Sequence, residues 1–76
     1  MPSDQELLKA LSQDGPPPDS YWQHRSGGVY RVACCCLREA DLTACVVYVA
    51  VKSGLYWCRP LAEFVDGRFT LLEKDE

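Results

Sequence analysis

The 76-residue chain has a single histidine and no apolar run that approaches the roughly 20 residues of a transmembrane helix. It also lacks a Cys-x-x-Cys pair, the usual ligand spacing of a zinc site. The first 20 residues are acidic and have neither the basic start nor the apolar centre of a signal peptide. We therefore expect a cytoplasmic protein with no membrane partner, no metal and no cofactor. The five cysteines are then reduced thiols.

The composition that remains is that of one small folded domain, with 47% apolar and 25% charged residues. A domain of this size buries only about 60% of the surface of its unfolded chain, so we expect a partner or an appendage to stabilise it. Six cations stand against four carboxylates in residues 20–72, whereas residues 1–19 and 73–76 are acidic. This excess is a weak basis for binding phosphates, so nucleic acid is only an alternative partner.

Residues 1–14 are predicted to contain an amphipathic helix. In the capping box that starts at Ser3, the Ser3 hydroxyl accepts the N–H of Glu6, and the Glu6 carboxylate accepts the N–H of Ser3. Gly15 predicts a left-handed helix stop, and the three prolines after it prevent the helix from continuing. Residues 15–20 are then a stiff linker, 21–72 a β domain and 73–76 an acidic tail.

The pattern changes to strands after Tyr21. The predicted strands are Val29 to Leu37, Ala44 to Val51, Leu55 to Arg59 and Arg68 to Leu72. Strict alternation along the first strand places Tyr30, Val32, Cys34 and Cys36 on one face. Pro60 ends the third strand, and Leu61 and Phe64 face the same way in one helical turn that closes one end of the core.

The second strand is apolar on both faces, with Cys45, Val47, Val49 and Val51 on one and Val46, Tyr48 and Ala50 on the other. A small barrel has only one interior, so the outer face must be covered by the helix or by a second copy of the chain. The predicted interface consists of Leu7, Leu8, Leu11, Val46 and Tyr48.

A series of markers resembles the small bacterial family DUF1653. They are Trp22-x-His24-x-x-Gly27-x-x-Tyr30-x-Val32, Val46-Val47-Tyr48, Trp57-x-Arg59-Pro60-Leu61-x-x-Phe64 and Arg68-Phe69. The resemblance covers about residues 21–72 and implies an SH3-like β-barrel of about five short strands, with no established activity. Where members usually have His-x-Glu-Thr after the first strand, this chain has Arg38-Glu39-Ala40-Asp41. The fold class predicted is mainly β, a small SH3-like barrel of four to five antiparallel strands with an N-terminal α-helix.

The candidate site residues each have a structural and a functional interpretation. The cysteines are small apolar packing residues or, alternatively, ligands drawn from Cys34, Cys36, Cys45 and Cys58. His24 tethers the first turn through a backbone carbonyl, or it acts as a ligand or a general base. In the structural interpretation Trp57 fills the barrel, and Arg59 pairs with Glu63 or donates to open carbonyls near Pro60. In the functional one Arg59 forms a cationic aromatic binding site with Trp22, His24 and Tyr56.

We predict a non-enzymatic interaction module. It binds a protein partner or a second copy, most simply as a dimer, through the apolar face of strand 44–51 and the N-terminal helix. A nucleic-acid-binding domain is the alternative, and an enzyme that uses His24 and the cysteines is the least favoured.

Overall fold

The computed structural model describes residues 3–72, which form one antiparallel sheet of five strands preceded by a helix. The elements are α1 (Asp4–Asp14), β1 (Tyr21–His24), β2 (Val29–Arg38), β3 (Thr43–Ala50), β4 (Tyr56–Pro60), α2 (Leu61–Phe64) and β5 (Phe69–Leu72). The strand order β4-β3-β2-β1-β5 makes β4 and β5 the two edges of a barrel-like sheet that does not close. The predicted mainly β class is confirmed. The predicted acidic tail, residues 73–76, lies outside the described residues.

The two ends of α1 differ from their predictions in detail. Glu6 N–H donates to the Ser3 hydroxyl at 3.2 Å, as predicted, but the Glu6 carboxylate contacts that hydroxyl at 3.5 Å rather than the Ser3 N–H. The left-handed conformation predicted for Gly15 is wrong, because its φ of −91° and ψ of 158° are extended. The reason is Pro16, since the residue before a proline is driven into the extended region.

Strict alternation along β2 fails after Val32. Val32 pairs with Tyr48, but Cys34 pairs with Val47, so Ala33 is an extra residue that forms a β-bulge. The bulge exchanges the faces of the residues that follow. Cys35, and not Cys34, therefore packs against the core.

The core lies inside the curve of the sheet and consists of Val32, Val46, Tyr48, Phe64 and Phe69. Phe64 of α2 is fully buried, and its ring stacks on Phe69 with the centroids 4.3 Å apart, which confirms the predicted helical turn at the end of the core. Val46 and Tyr48 are only 0% and 4% exposed. Their prediction as interface residues is wrong, because the core already uses their side chains.

Helix α1 packs on its own sheet, at the end of the core where β2 and β3 meet. Leu7 and Leu11 line a cavity of about 210 Å³ together with Leu37, Leu42, Ala44 and Leu61. Ala44, two residues from buried Val46, is on the core side of β3. Helix α1 therefore covers one end of the core, and the prediction that it covers the outer face of β3 is wrong. Leu8, on the same helix, is 63% exposed.

Candidate functional site

The core sides of all five strands meet in one open cleft, at the opposite end of β3 from α1. Its volume is about 240 Å³. We call it the aromatic cleft, and its lining residues are His24, Ser26, Tyr30, Tyr48, Trp57, Arg59 and Phe69.

Strand β4 supplies Trp57 and Arg59 to the aromatic cleft. Trp57 pairs with Tyr48 and Arg59 pairs with Val46, so their side chains project from β4 towards the core side. Trp57 is 49% exposed. The prediction that Trp57 fills the barrel is therefore wrong: Tyr48 and the two phenylalanines occupy the interior, and the indole stands at the mouth of the cleft.

The guanidinium of Arg59 is held in place by the side chains of Tyr48 and Phe69. Its Nε–H donates to the Tyr48 hydroxyl at 3.2 Å, and its carbon lies 5.7 Å from the centre of the Phe69 ring. The hydrogen bond to Tyr48 raises the pKa of Arg59, so the group is always charged. Glu63 approaches Nη1 at 3.8 Å, which is an ion pair but too long for a hydrogen bond. Within residues 3–72, the terminal nitrogens of Arg59 make no hydrogen bond.

His24 forms the wall opposite β4 and is locked by the turn between β1 and β2. Its Nδ1 accepts the backbone N–H of Ser26 at 3.1 Å and lies 2.7 Å from the Ser26 hydroxyl. Because Nδ1 accepts an N–H, the neutral ring carries its proton on Nε2. The ring also meets Phe69 edge to face at 4.9 Å. His24 thus tethers the turn, through an N–H rather than the predicted carbonyl.

Only His24 and Arg59 of the four predicted binding residues lie in the aromatic cleft. Trp22 packs edge to face on Phe64, 5.2 Å away, and donates its indole N–H to Ser20. Tyr56 is exposed, and because it is next to Trp57 on β4 its side chain lies on the other face. The two-residue spacing of Trp57 and Arg59 was visible in the sequence. Tyr30, Tyr48 and Phe69 join them only through the pairing of distant strands.

The five cysteines are free thiols, and four of them lie on the outer face of the sheet. Cys36 and Cys45 are directly opposite each other on β2 and β3. Burial is the largest cause that raises the pKa of both thiols, so they are protonated at neutral pH. Among the described residues, no three cysteine, histidine or carboxylate side chains are grouped to hold a metal ion.

None of the helices in residues 3–72 has the length and apolar character needed to cross a membrane. A family model described as "Protein of unknown function (DUF1653)" matches residues 20–70. No curated protein and no solved structure matches the chain. The matched residues include the whole aromatic cleft and leave out α1.

Proposed function

The chain belongs to the DUF1653 family, and from the aromatic cleft we propose that it is a non-enzymatic module that binds a protein partner through a carboxylate of that partner. The observation that carries the proposal is the state of Arg59. Tyr48 and Phe69 fix the guanidinium, while its terminal nitrogens still have N–H groups to donate. A guanidinium in this state matches the two oxygens of a carboxylate.

The walls of the aromatic cleft suit the apolar part of such a ligand. Half-exposed Trp57 and the ring of Phe69 flank Arg59, and Tyr30 meets Phe69 edge to face at 5.8 Å. Tryptophan, tyrosine and arginine are the residue types that contribute most to binding at protein interfaces. The cleft therefore combines one oriented charge with a rigid apolar surface.

The chemistry of the cleft favours binding over catalysis. The Ser26 hydroxyl lies 2.7 Å from His24 Nδ1, a distance also found between a nucleophile and its base. That same nitrogen, however, already accepts the Ser26 N–H. None of the residues that line the cleft is an Asp or Glu that would orient the imidazole. We interpret the contact as part of the turn.

Nucleic acid is the second candidate, because a base could stack on exposed Trp57 beside the Arg59 cation. The charge near the cleft argues against it. Arg68 is paired with Asp66 at 3.0 Å and with Glu63 at 3.6 Å, so it adds little positive potential. Phosphate-driven binding requires several cations on one surface.

The test is a selection from a displayed library of random peptides, followed by affinity measurements on the wild type, Arg59→Gln and Lys9→Gln. We expect the selected peptides to contain Asp or Glu, and Arg59→Gln to bind them at least tenfold more weakly. Lys9→Gln removes the same charge from exposed α1 and should bind like the wild type.

Two results would contradict this function. One is equal peptide binding by the wild type and Arg59→Gln, with circular dichroism showing that both are folded. The other is that random single-stranded oligonucleotides bind at low salt while no peptide is selected. Sedimentation of the wild type, measured alongside, tests the earlier expectation of a dimer.

A further inference from the structure

Strand β4 is an exposed edge of the sheet, and its accessible main-chain groups can be identified. Ala50 N–H donates to the Leu55 carbonyl at 2.9 Å, so the pair Ala50 and Leu55 is hydrogen-bonded across the β3–β4 hairpin. Hydrogen-bonded and non-hydrogen-bonded pairs alternate along an antiparallel ladder. Trp57 and Arg59 therefore direct their N–H and C=O groups to β3, and Tyr56 and Cys58 direct theirs away from it.

The position of Pro60 agrees with this alternation. It follows Cys58 by two residues, so its missing N–H falls on the side that faces away from β3, the side on which a sheet tolerates proline. Within residues 3–72, no strand pairs with this side of β4. The edge thus offers the N–H and C=O of Tyr56 and Cys58 to an incoming chain, and the ladder ends at Pro60.

We propose that the partner supplies an extended segment that joins the sheet as a sixth strand on β4. This inference rests on the proposed function and specifies how the partner binds. The added strand bonds the outward N–H and C=O groups of Tyr56 and Cys58, and a carboxylate on its core-side face reaches Arg59. Alternate side chains of the segment then lie on the two faces of β4, over Trp57 and Arg59 on one and over exposed Tyr56 on the other.

The charge of the β4 edge identifies an acidic segment as the occupant. Residues 51–59 contain Lys52 and Arg59 and no carboxylate. A second copy that paired through the same edge would bring two Lys52 and two Arg59 side chains together. The nearest carboxylate is Glu63 of each copy, which Arg59 already shares with Arg68, so this pairing costs free energy. An acidic strand from a different protein complements these charges.

The first experiment uses the tightest-binding peptide from the library selection, resynthesised with one backbone amide methylated at a time. Main-chain pairing predicts an alternating result, because every second amide of an added strand faces β4. Methylation of those amides should weaken binding at least tenfold, and methylation of the intervening amides by less than threefold. If methylation weakened binding equally at every amide, the inference of an added strand would be wrong. Binding that still depends on Arg59 would leave the proposed function intact. A selection that gives no binder would overturn both.

The second experiment acts on the protein. Cys58→Pro removes the one outward N–H at the centre of the edge, and Cys58→Ala keeps that N–H while removing the thiol. We expect Cys58→Pro to bind the peptide at least tenfold more weakly and Cys58→Ala to bind like the wild type. Equal affinities for all three proteins would contradict the inference. If Cys58→Pro does not fold, the methylation profile decides alone.

Discussion

At the scale of single residues, Gly15 shows how a contact, and not a backbone angle, can require glycine. Its φ is ordinary, but a Cβ at this position would overlap Cys35 Sγ and approach the Leu11 carbonyl to 2.9 Å. Cys35 itself is held between the core and the carbonyl of Pro16, 3.8 Å from its sulfur. The close approach of the linker to β2 therefore depends on the missing side chain.

We predict that Gly15→Ala lowers the free energy of unfolding by about 1–3 kcal/mol, the usual cost of overpacking. Urea denaturation followed by circular dichroism measures it. Adding Cys35→Ala removes the nearer clash and should restore part of the loss. If Gly15→Ala is as stable as the wild type, the linker does not pack on Cys35 as described.

At the scale of elements, the turn between β2 and β3 is held by one bidentate ion pair. Arg38 donates to both carboxylate oxygens of Asp41, at 3.0 and 2.7 Å, and Asp41 also accepts the Thr43 N–H at 3.1 Å. These hydrogen bonds, that from Arg38 foremost, hold the pKa of Asp41 well below its usual range. Between them, Leu42 has a φ of +57°, which is costly for leucine. The ion pair helps to keep the turn closed.

Because the pKa of Asp41 is lowered in the folded protein, its contribution to stability depends on pH. A carboxyl whose pKa is lowered on folding stabilises the protein above its unfolded pKa of about 3.9, and this contribution is lost as the pH falls through the folded pKa. We predict that Asp41→Asn is less stable than the wild type at pH 6, and that the difference shrinks as the pH falls below 4. Thermal unfolding at several pH values measures it.

Glu39→Gln is the matched control for this turn. Glu39 is exposed and has no hydrogen bond or ion pair among the described residues, so its removal should leave the difference from the wild type small at every pH. If Asp41→Asn and Glu39→Gln behave alike, the ion pair contributes nothing to the turn.

At the scale of the whole molecule, α1 is the appendage that was expected to stabilise so small a β domain. Its leucines extend the core beyond Leu37 and Leu61, where the sheet alone would leave apolar side chains open to water. Pro16, which follows the helix, is buried. The helix stabilises the end of the sheet opposite the aromatic cleft, so it can support the fold without obstructing the proposed site.

We predict that Leu11→Ala lowers the free energy of unfolding by about 1–3 kcal/mol, less than the largest losses at fully buried leucines because Leu11 is only half-buried. Leu8→Ala, at the mostly exposed position on the same helix, should change it by about 0.5 kcal/mol or less. Equal effects in chemical denaturation would mean that α1 does not dock through Leu11.

The sequence by itself determined the order and type of the elements except β1 (Tyr21–His24), which is not among the strands predicted from the alternation. Local signals were sufficient there: the capping box at Ser3, the proline run, the alternation in Ala44 to Val51, and the Pro60 stop followed by Leu61 and Phe64. Each acts within a few residues, and the structure contains the elements that they predict, although only the Ser3 half of the capping box forms as predicted. The two-residue alternation of a strand also predicted that Trp57 and Arg59 lie on the same face of β4.

Only the tertiary structure decided which faces are buried and where the cleft lies. The extra residue Ala33 reverses the faces of β2 beyond it, and a two-residue period cannot reveal a bulge, because the bulge depends on the partner strand. Likewise, both faces of β3 are apolar, so the sequence could not show which of them faces the core. The curvature of the sheet places the face with Val46 and Tyr48 inside. The aromatic cleft gathers residues from five strands, and this arrangement exists only once the chain is folded.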